Sequence, residues 1–200
     1  MPALTETQML NFALGSIGAD RIAAIDDGSI NANYCLDFYP PLRTGLLRSH
    51  NWNFAEHRVA LVAEATAPLF EYAFAYPLPS DCLRLKEYNG SALDTSVLPD
   101  GILVTRFFKI EGRKIFSNDG VVNIVYVRDV TDPNQWDSLF FMVITTWLAG
   151  LLAGAITKDL RRREALIREA VTLALPMALA VDGQEMEVKP IRSDDLIWGR

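Results

Sequence analysis

The stretch from Leu139 to Thr157 carries no charged side chain, and it limits the fold more than any other part of the sequence. As a helix it would measure roughly 29 Å at 1.5 Å per residue, which is long enough to cross a bilayer. The same length fits the central helix of a helical domain. Length therefore leaves the environment of this helix open.

The residues around this apolar run favour a buried helix over a membrane span. Gly150 and Gly154 form a G-x-x-x-G step, which lets another backbone come close in either environment. Polar residues 132–137 predict a helix N-cap before the run, and an amphipathic pattern after it predicts a second helix packed as a hairpin. We therefore expect the core helix of a soluble domain. The alternative is a membrane-spanning helix followed by a cytoplasmic basic cluster at 161–163.

The formal net charge of −6 weighs against a protein that grips a nucleic-acid backbone, because phosphate binding needs clustered Lys and Arg. An acidic surface repels DNA, and it suits the wall of a channel through which DNA slides. Cys35 and Cys82 have no C-x-x-C spacing, so we expect reduced thiols rather than a disulfide framework or a zinc site. Residues 1–12 lack the pattern of a signal peptide, so a cytoplasmic product is expected.

Two helices are predicted before residue 51. Thr5 and Gln8 match a capping box, and apolar residues then recur at helical spacing. Ser29 is the predicted N-cap of a second helix. The apolar face of that helix contains Cys35, Phe38, Tyr39, Leu42 and Leu46. The pair Pro40-Pro41 removes two backbone donors, so we expect it to kink or split this helix.

From residue 51 onward, short apolar runs alternate with turn residues, a pattern typical of antiparallel strands. The predicted strands are Ala55–Ala63, Tyr72–Tyr76, Leu83–Tyr88, Ile102–Ile110, Lys114–Phe116 and Val121–Arg128. Tight turns are predicted at Asn89-Gly90, Glu111-Gly112 and 118–120. Together these elements predict a small antiparallel sheet or a sandwich, inserted between two helical halves.

The chain after the apolar run continues as an amphipathic helix, which Pro176 is expected to bend or to end early. This helix begins with a basic cluster that is a candidate contact for a partner, with a solvated helix face as the alternative. The cluster consists of Arg161, Arg162 and Arg163. Residues 183–200 show no period and predict a tail that docks on something else. Its candidate anchors, in a pocket of another chain or on their own domain, are Leu196, Ile197 and Trp198.

The sequence contains no convincing catalytic, cofactor-binding or metal-binding constellation. It has no G-x-S-x-G, H-E-x-x-H, P-loop or G-x-G-x-x-G motif. His50 and His57 flank a predicted helix-to-strand transition, where capping or surface roles are expected rather than a shared metal. Asp81 and Asp119 are expected to be turn residues rather than the paired carboxylates of a glycosidase. We therefore predict no catalytic residue, no cofactor and no metal site.

Four phrases of the sequence resemble one protein family. They read LLRSHNWNFA at 46–55, YPLPSDCLR at 76–84, YVRDV at 126–130 and WD at 136–137. In series they resemble the tail tubular protein A family, the head-to-tail adaptors of short-tailed bacteriophages. The resemblance extends over nearly the whole chain in matching order.

This resemblance implies an α+β fold with three parts. Residues 1–50 and 132–182 would form an antiparallel helical bundle, residues 51–131 a small inserted antiparallel β domain, and residues 183–200 an extended C-terminal docking tail. The implied function is that of a structural virion protein in the tail connector, assembled in the host cytoplasm and without enzymatic activity.

The resemblance also implies the partners. Twelve copies would form a ring that binds the portal protein and the tail nozzle protein, and double-stranded DNA would pass through it without specific contacts. The ring would contain no membrane span. A cell-wall hydrolase activity is associated with some relatives, and it stays an alternative to which no residue of this chain is assigned.

Overall fold

The computed structural model describes residues 4–92 and 108–185. Within these residues the chain is α+β, with its strands lying in sequence between two sets of helices, so the predicted class is confirmed. The helices are α1 (Glu6–Ser16), α2 (Ile30–Ser49), α3 (Ser138–Leu152), α4 (Leu160–Glu169) and α5 (Leu175–Gln184). The predicted anchors Leu196, Ile197 and Trp198 lie outside the described residues.

The first two helices begin at the residues that the sequence predicts as caps. The Thr5 hydroxyl accepts a hydrogen bond from the Gln8 backbone N–H at 3.2 Å, and the Gln8 side chain accepts one from the Thr5 N–H at 3.0 Å. The Ser29 hydroxyl accepts a hydrogen bond from the Ala32 N–H at 3.2 Å. These caps satisfy backbone donors that the first helical turn leaves without partners.

The helix α2 runs through Pro40 and Pro41 without a break, so the predicted split is wrong, and the alternative of a kink stays a prediction. A proline inside a helix removes a backbone hydrogen bond and crowds the preceding turn, at a cost of about 3 kcal/mol or more. Burial on both sides offsets this cost, since Tyr39 before the prolines and Leu46 after them lie in the core. Tertiary packing therefore outweighs the local preference.

The segment after α3 also continues through its proline, so the predicted early end is wrong as well, and the alternative of a bend stays a prediction. A π-helical turn at Ala170–Ala174 joins α4 to α5, and Pro176 lies in the first turn of α5. The wider π-helical turn accommodates the proline ring and its missing N–H without ending the helix. Because α5 extends to Gln184, the predicted start of the tail at residue 183 lies inside the helix.

The helix α3 forms the common surface against which the other helices pack. Phe140, Val143 and Leu148 are fully buried, and α1, α2, α4 and α5 all contact α3. Within the described residues, Ser138–Thr157 is the one segment long and apolar enough to cross a membrane, and half of its most apolar window is buried. The choice between a core helix and a membrane span stays a prediction.

A glycine of α3 brings α4 close, as the G-x-x-x-G spacing predicts. A Cβ atom on Gly150 would lie 2.8 Å from Ile167 Cγ1 and 3.1 Å from the Ile167 backbone nitrogen. Lys158 turns the chain with a φ of +56°. Asp159 then caps α4 by accepting a hydrogen bond from the Arg162 N–H at 3.0 Å. The helices α3 and α4 therefore form the predicted hairpin.

The strands of the described residues form two antiparallel sheets. They are β1 (Glu56–Leu61), β2 (Phe74–Pro77), β3 (Cys82–Tyr88), β4 (Ser91–Ala92), β5 (Phe108–Glu111), β6 (Lys114–Ser117) and β7 (Val122–Arg128). One sheet has the order β1-β7-β3-β4 and the other the order β2-β6-β5. The two sheets share one apolar core, as a sandwich requires. Inside that core, the hydroxyls of Tyr88 and Ser117 lie 2.6 Å apart.

Most predicted strands overlap observed ones with small shifts at their ends. For the predicted strand Ile102–Ile110, residues 102–107 lie outside the described part. The predicted turn at Asn89-Gly90 is confirmed, with φ of +46° and +78°. The turn between β5 and β6 lies at Gly112-Arg113, one residue later than predicted, because Glu111 pairs with Lys114.

Replacing Gly150 by alanine is expected to destabilise the protein by about 1–3 kcal/mol, because the added methyl group would press on the side chain and backbone of Ile167. Gly45→Ala is the matched control, since an added Cβ there meets no atom within 4 Å. The control should stabilise the exposed face of α2 by about 0.5–1 kcal/mol. Urea unfolding followed by circular dichroism measures both changes. Equal effects would contradict the close contact between α3 and α4.

Candidate functional site

The four phrases that carry the family resemblance meet where the helices join the sheets. We call this place the junction and define it as residues 46–55, 76–84, 126–130 and 136–137. The first phrase connects α2 to β1, the second connects β2 to β3, and the last two connect β7 to α3. Hydrogen bonds link the first phrase to the second and the second to the third, although they are far apart in the sequence.

Aromatic side chains form the centre of the junction. Trp52 is fully buried, and its ring centre lies 5.0 Å from that of Phe140 in an edge-to-face arrangement. Phe54 and Trp136 contact the same Phe140 ring edge-to-face, at 4.9 Å and 5.3 Å. The indole N–H groups of the two tryptophans donate to backbone carbonyls within the junction at 3.0 Å and 2.9 Å. Through this cluster, α3 packs against residues that precede the sheets in the sequence and against a residue that follows them.

An ion pair between the buried Arg43 and the partly exposed Asp129 connects α2 to the end of β7. The Arg43 guanidinium donates two hydrogen bonds of 2.9 Å to the Asp129 carboxylate, and it lies 5.1 Å from the centre of the Tyr39 ring. Glu6 of α1 lies 3.8 Å from the same guanidinium. Burial acts to lower the pKa of Arg43, but the hydrogen bonds with Asp129 and the nearby Tyr39 ring raise it on balance. This arginine therefore stays charged inside the protein.

Hydrogen bonds attach the connection between β2 and β3 to its neighbours. The Asp81 backbone carbonyl accepts from the Asp129 N–H at 2.8 Å, and the Asp81 carboxylate accepts from the Tyr126 hydroxyl at 3.0 Å. Arg84 donates to the side-chain carbonyl of Asn51 at 2.6 Å. The second phrase is thus bonded to the first and to the third.

One buried carboxylate ties the last turn of α5 to the junction. Asp182 is 7 % exposed, and its carboxylate accepts a hydrogen bond from the Asn53 backbone N–H at 3.0 Å. The same carboxylate lies 3.0 Å from Nε2 of His50. The Asn53 side chain donates to the Asp182 backbone carbonyl at 2.8 Å. The end of α5 is therefore held at the point where α2 leads into β1.

The two histidines considered as metal ligands lie on different elements and have different neighbours. His50 contacts Asp182, whereas the His57 ring lies 5.6 Å from the Tyr126 ring. Among residues 4–92 and 108–185, no group of three or more His, Cys, Asp or Glu side chains is placed to hold a metal ion. The described residues thus offer no assembled metal centre.

The two aspartates considered as a glycosidase pair each bond to a tyrosine. The Tyr126 hydroxyl donates to Asp81, and the Tyr88 hydroxyl donates to Asp119 at 2.7 Å. Burial raises the pKa of Tyr88 and of Tyr126 to about 12, with the neighbouring carboxylates acting in the same direction. Both hydroxyls therefore stay protonated as donors. These contacts give each aspartate a structural role in the connections of the sheets.

The three basic residues predicted as a partner contact lie exposed at the start of α4. Arg162 donates to the backbone carbonyl of Ser16 at the end of α1. Arg163 lies over Gly154, where an added Cβ would stand 2.8 Å from Arg163 Cδ. Arg161 and Arg163 form no ion pair with the described residues. Their charges are available to a partner.

The loop between β1 and β2 presents an exposed feature that the sequence reasoning missed. We call its residues 68–70 the hook. Leu69 and Phe70 are 98 % and 77 % exposed. The Tyr72 N–H donates to the Phe70 carbonyl at 2.9 Å around Glu71, whose φ is +72°, so a γ-turn follows the hook. A groove of about 550 Å³ lies between this loop and strands β5 and β6. The sequence signal for this feature is the apolar pair Leu69-Phe70 directly after Pro68 in a predicted loop.

Most polar groups of the junction bond within the chain. The Arg84 guanidinium, the Asp81 carboxylate and both indole N–H groups bond to other residues of the protein. The buried Nε atoms of Arg84 and Arg128 have no hydrogen-bond partner among the described residues. The chain matches no protein-family model, and it matches no curated protein in sequence. The contacts of the junction and the exposed features around it are therefore the basis for a functional proposal.

Replacing Asp129 by alanine is expected to destabilise the protein by about 3–5 kcal/mol, because the buried Arg43 guanidinium would lose its carboxylate partner. Glu6→Gln is the control and should cost less than about 1 kcal/mol, since Glu6 is 38 % exposed and lies farther from Arg43. The double variant Arg43→Met/Asp129→Leu should recover most of the loss. Urea unfolding curves compare the three variants. A similar cost for Asp129→Ala and Glu6→Gln would show that the pair does not hold the junction.

Proposed function

We propose that the chain is a head-to-tail adaptor of a short-tailed bacteriophage, a structural virion protein that forms a ring of twelve copies between the portal and the tail nozzle. The junction carries the proposal, because the phrases that resemble the adaptor family contact one another and α3. In this proposal those residues bind no ligand. They fix the angle between helices and sheets, and no catalytic residue, cofactor or metal takes part.

A fixed internal angle is what a ring of identical subunits requires. A head-to-tail interface closes into a ring when every contact repeats one rotation, and a hinge within the subunit would change that rotation. The Arg43–Asp129 pair and the aromatic contacts of Phe140 oppose such a hinge. These contacts support a function that depends on geometry.

The finer architecture of the proposed adaptor follows the resemblance. Residues 1–50 and 132–182 form an antiparallel helical bundle, with the inserted β domain at 51–131. The tail that follows α5 docks on the portal protein. The hook between β1 and β2 is the candidate contact with the nozzle protein, since it exposes two large apolar side chains. Double-stranded DNA passes through the ring, and the net charge of −6 keeps it from binding to the wall.

A small membrane-anchored protein is the second candidate, and one observation favours it. The segment Ser138–Thr157 has a mean hydropathy of 2.1 and the length of a membrane span. Against this candidate, α3 packs on the other helices through Phe140 and Leu148, and lipid would have to replace those contacts. Partition of the purified protein into detergent rather than buffer would favour the membrane anchor.

A cell-wall hydrolase is the third candidate, and the described residues offer it little. Support for this candidate would require that replacing Asp81 or Asp119 abolishes a measured wall-degrading activity while the protein stays folded. Replacing either aspartate also removes a hydrogen bond to a tyrosine and lowers stability, so circular dichroism must accompany the assay.

Mixing the purified protein with the portal protein of the same virus tests the adaptor proposal. We expect light scattering to report a complex of many copies on the portal, and negative-stain images to show a ring around a central channel. Addition of the nozzle protein should lengthen the particle. A chain that stays monomeric with both partners present would contradict the proposal.

The double variant Leu69→Ser/Phe70→Ser should weaken binding to the nozzle protein at least about tenfold, because each large apolar side chain buried at an interface contributes roughly 1.5–3 kcal/mol. Val121→Ser is the control, since Val121 is 68 % exposed outside the hook. Titration of immobilised nozzle protein measures the affinities, and melting curves should change little for either variant. An unchanged affinity of the hook variant would remove the hook from the interface.

A further inference from the structure

A shallow groove of about 650 Å³ runs along one side of α4 and the π-helical turn that follows it. Leu160, Ile167 and Val171 supply its apolar surface. Leu160 and Val171 are 62 % and 39 % exposed, and Ile167 also packs against Gly150 of α3. These residues recur at helical spacing on a helix that is otherwise charged. An apolar stripe of this kind on an exposed helix is typical of a surface that another segment covers.

Positive charge flanks this groove. Arg163 and Arg168 belong to its lining, in which Glu164 is the acidic residue. Neither arginine has a carboxylate partner among the residues that the structure describes. A fitting occupant therefore has large apolar side chains directly beside acidic ones.

The C-terminal sequence of the same chain has this composition. Asp194 and Asp195 directly precede Leu196, Ile197 and Trp198. The described residues end at 185, just after the last turn of α5, so these five residues lie in the part of the chain that follows. Their two carboxylates are opposite in charge to the two arginines. Their three apolar side chains suit the apolar surface that Leu160, Ile167 and Val171 form.

The length of the chain allows the two to meet. The groove lies on the same continuous helical segment from which the tail departs. Residues 163–171 precede Gln184 by 13–21 positions, which is roughly 20–32 Å at 1.5 Å per residue. From Gln184 to Asp194 the chain spans at most about 33–36 Å. A tail that turns back along α5 therefore brings residues 194–198 to the groove, with little length to spare.

We propose that residues 194–198 dock in the α4 groove of their own chain, with Leu196, Ile197 and Trp198 on the apolar floor and the two aspartates against Arg163 and Arg168. This contact joins the predicted basic cluster and the predicted C-terminal anchors in one intramolecular interaction. It concerns the free subunit and holds whether or not the chain forms a ring. A partner that binds the α4 groove has to displace residues 194–198, and a partner that binds residues 194–198 has to detach them from the groove.

Disulfide trapping in the full-length protein tests this contact. Thr172→Cys/Ser193→Cys places one thiol in the groove and one beside the docking residues. Leu173→Cys/Ser193→Cys is the matched control, because Leu173 is exposed and adjacent to Thr172 but does not belong to the groove lining. Both native cysteines are buried, and burial raises the pKa of both thiols, so they react slowly. With oxidised glutathione we expect an intramolecular disulfide about tenfold faster in the first variant.

Charge reversal supplies the second measurement. Adding Arg163→Glu/Arg168→Glu to the trapping variant should slow disulfide formation to the rate of the control, and further adding Asp194→Lys/Asp195→Lys should restore it. Circular dichroism verifies that every variant folds. Equal rates in the two trapping variants, or no response to charge reversal, would overturn the proposal. A disulfide that joins only two copies would also overturn it and would assign the groove to the tail of a second copy.

Discussion

One ion pair joins the helices to the sheets, between the buried Arg43 and the partly exposed Asp129. Arg43 in the middle of α2 and Asp129 after β7 form two hydrogen bonds, and the arginine is removed from water to do so. Desolvation offsets much of the attraction in such a pair, so its net contribution to stability is small. Breaking it is costly, because one charge is left buried without a partner. We infer that the pair acts mainly by excluding arrangements in which α2 and β7 do not meet.

The helix α3 is the surface on which this arrangement is built. Near its start the Phe140 ring contacts Trp52, Phe54 and Trp136, and farther along Gly150 admits the backbone of α4. The helix α3 therefore contacts the junction near its start and the helix α4 farther along. In a subunit whose proposed role is to repeat one rotation around a ring, this coupling keeps the geometry the same in every copy. The hook and the α4 groove lie at the exposed surface, where they can serve partners.

The parts of the fold that could be predicted depend on interactions between residues close in sequence. The caps at Thr5 and Ser29, the strand patterns and the glycine spacing are of this kind. The continuity of α2 through its prolines could not be predicted, because distant packing overrules their local preference. The pair Arg43–Asp129 joins residues 86 positions apart, and no spacing rule reveals such a contact. The segments of the candidate site can be read from the sequence, but only the structure shows that they meet in one junction and that the hook is exposed.

Amide hydrogen exchange in buffer without detergent tests most directly whether α3 and the sheets form one cooperative unit buried by its own contacts. We expect the amides of residues 143–152 in α3 and 124–127 in β7 to exchange only by global unfolding, with the same free energy and the same dependence on urea. Exchange in α3 at a clearly lower free energy than in β7 would contradict this coupling. So would protection of α3 that arises only after lipid or detergent is added.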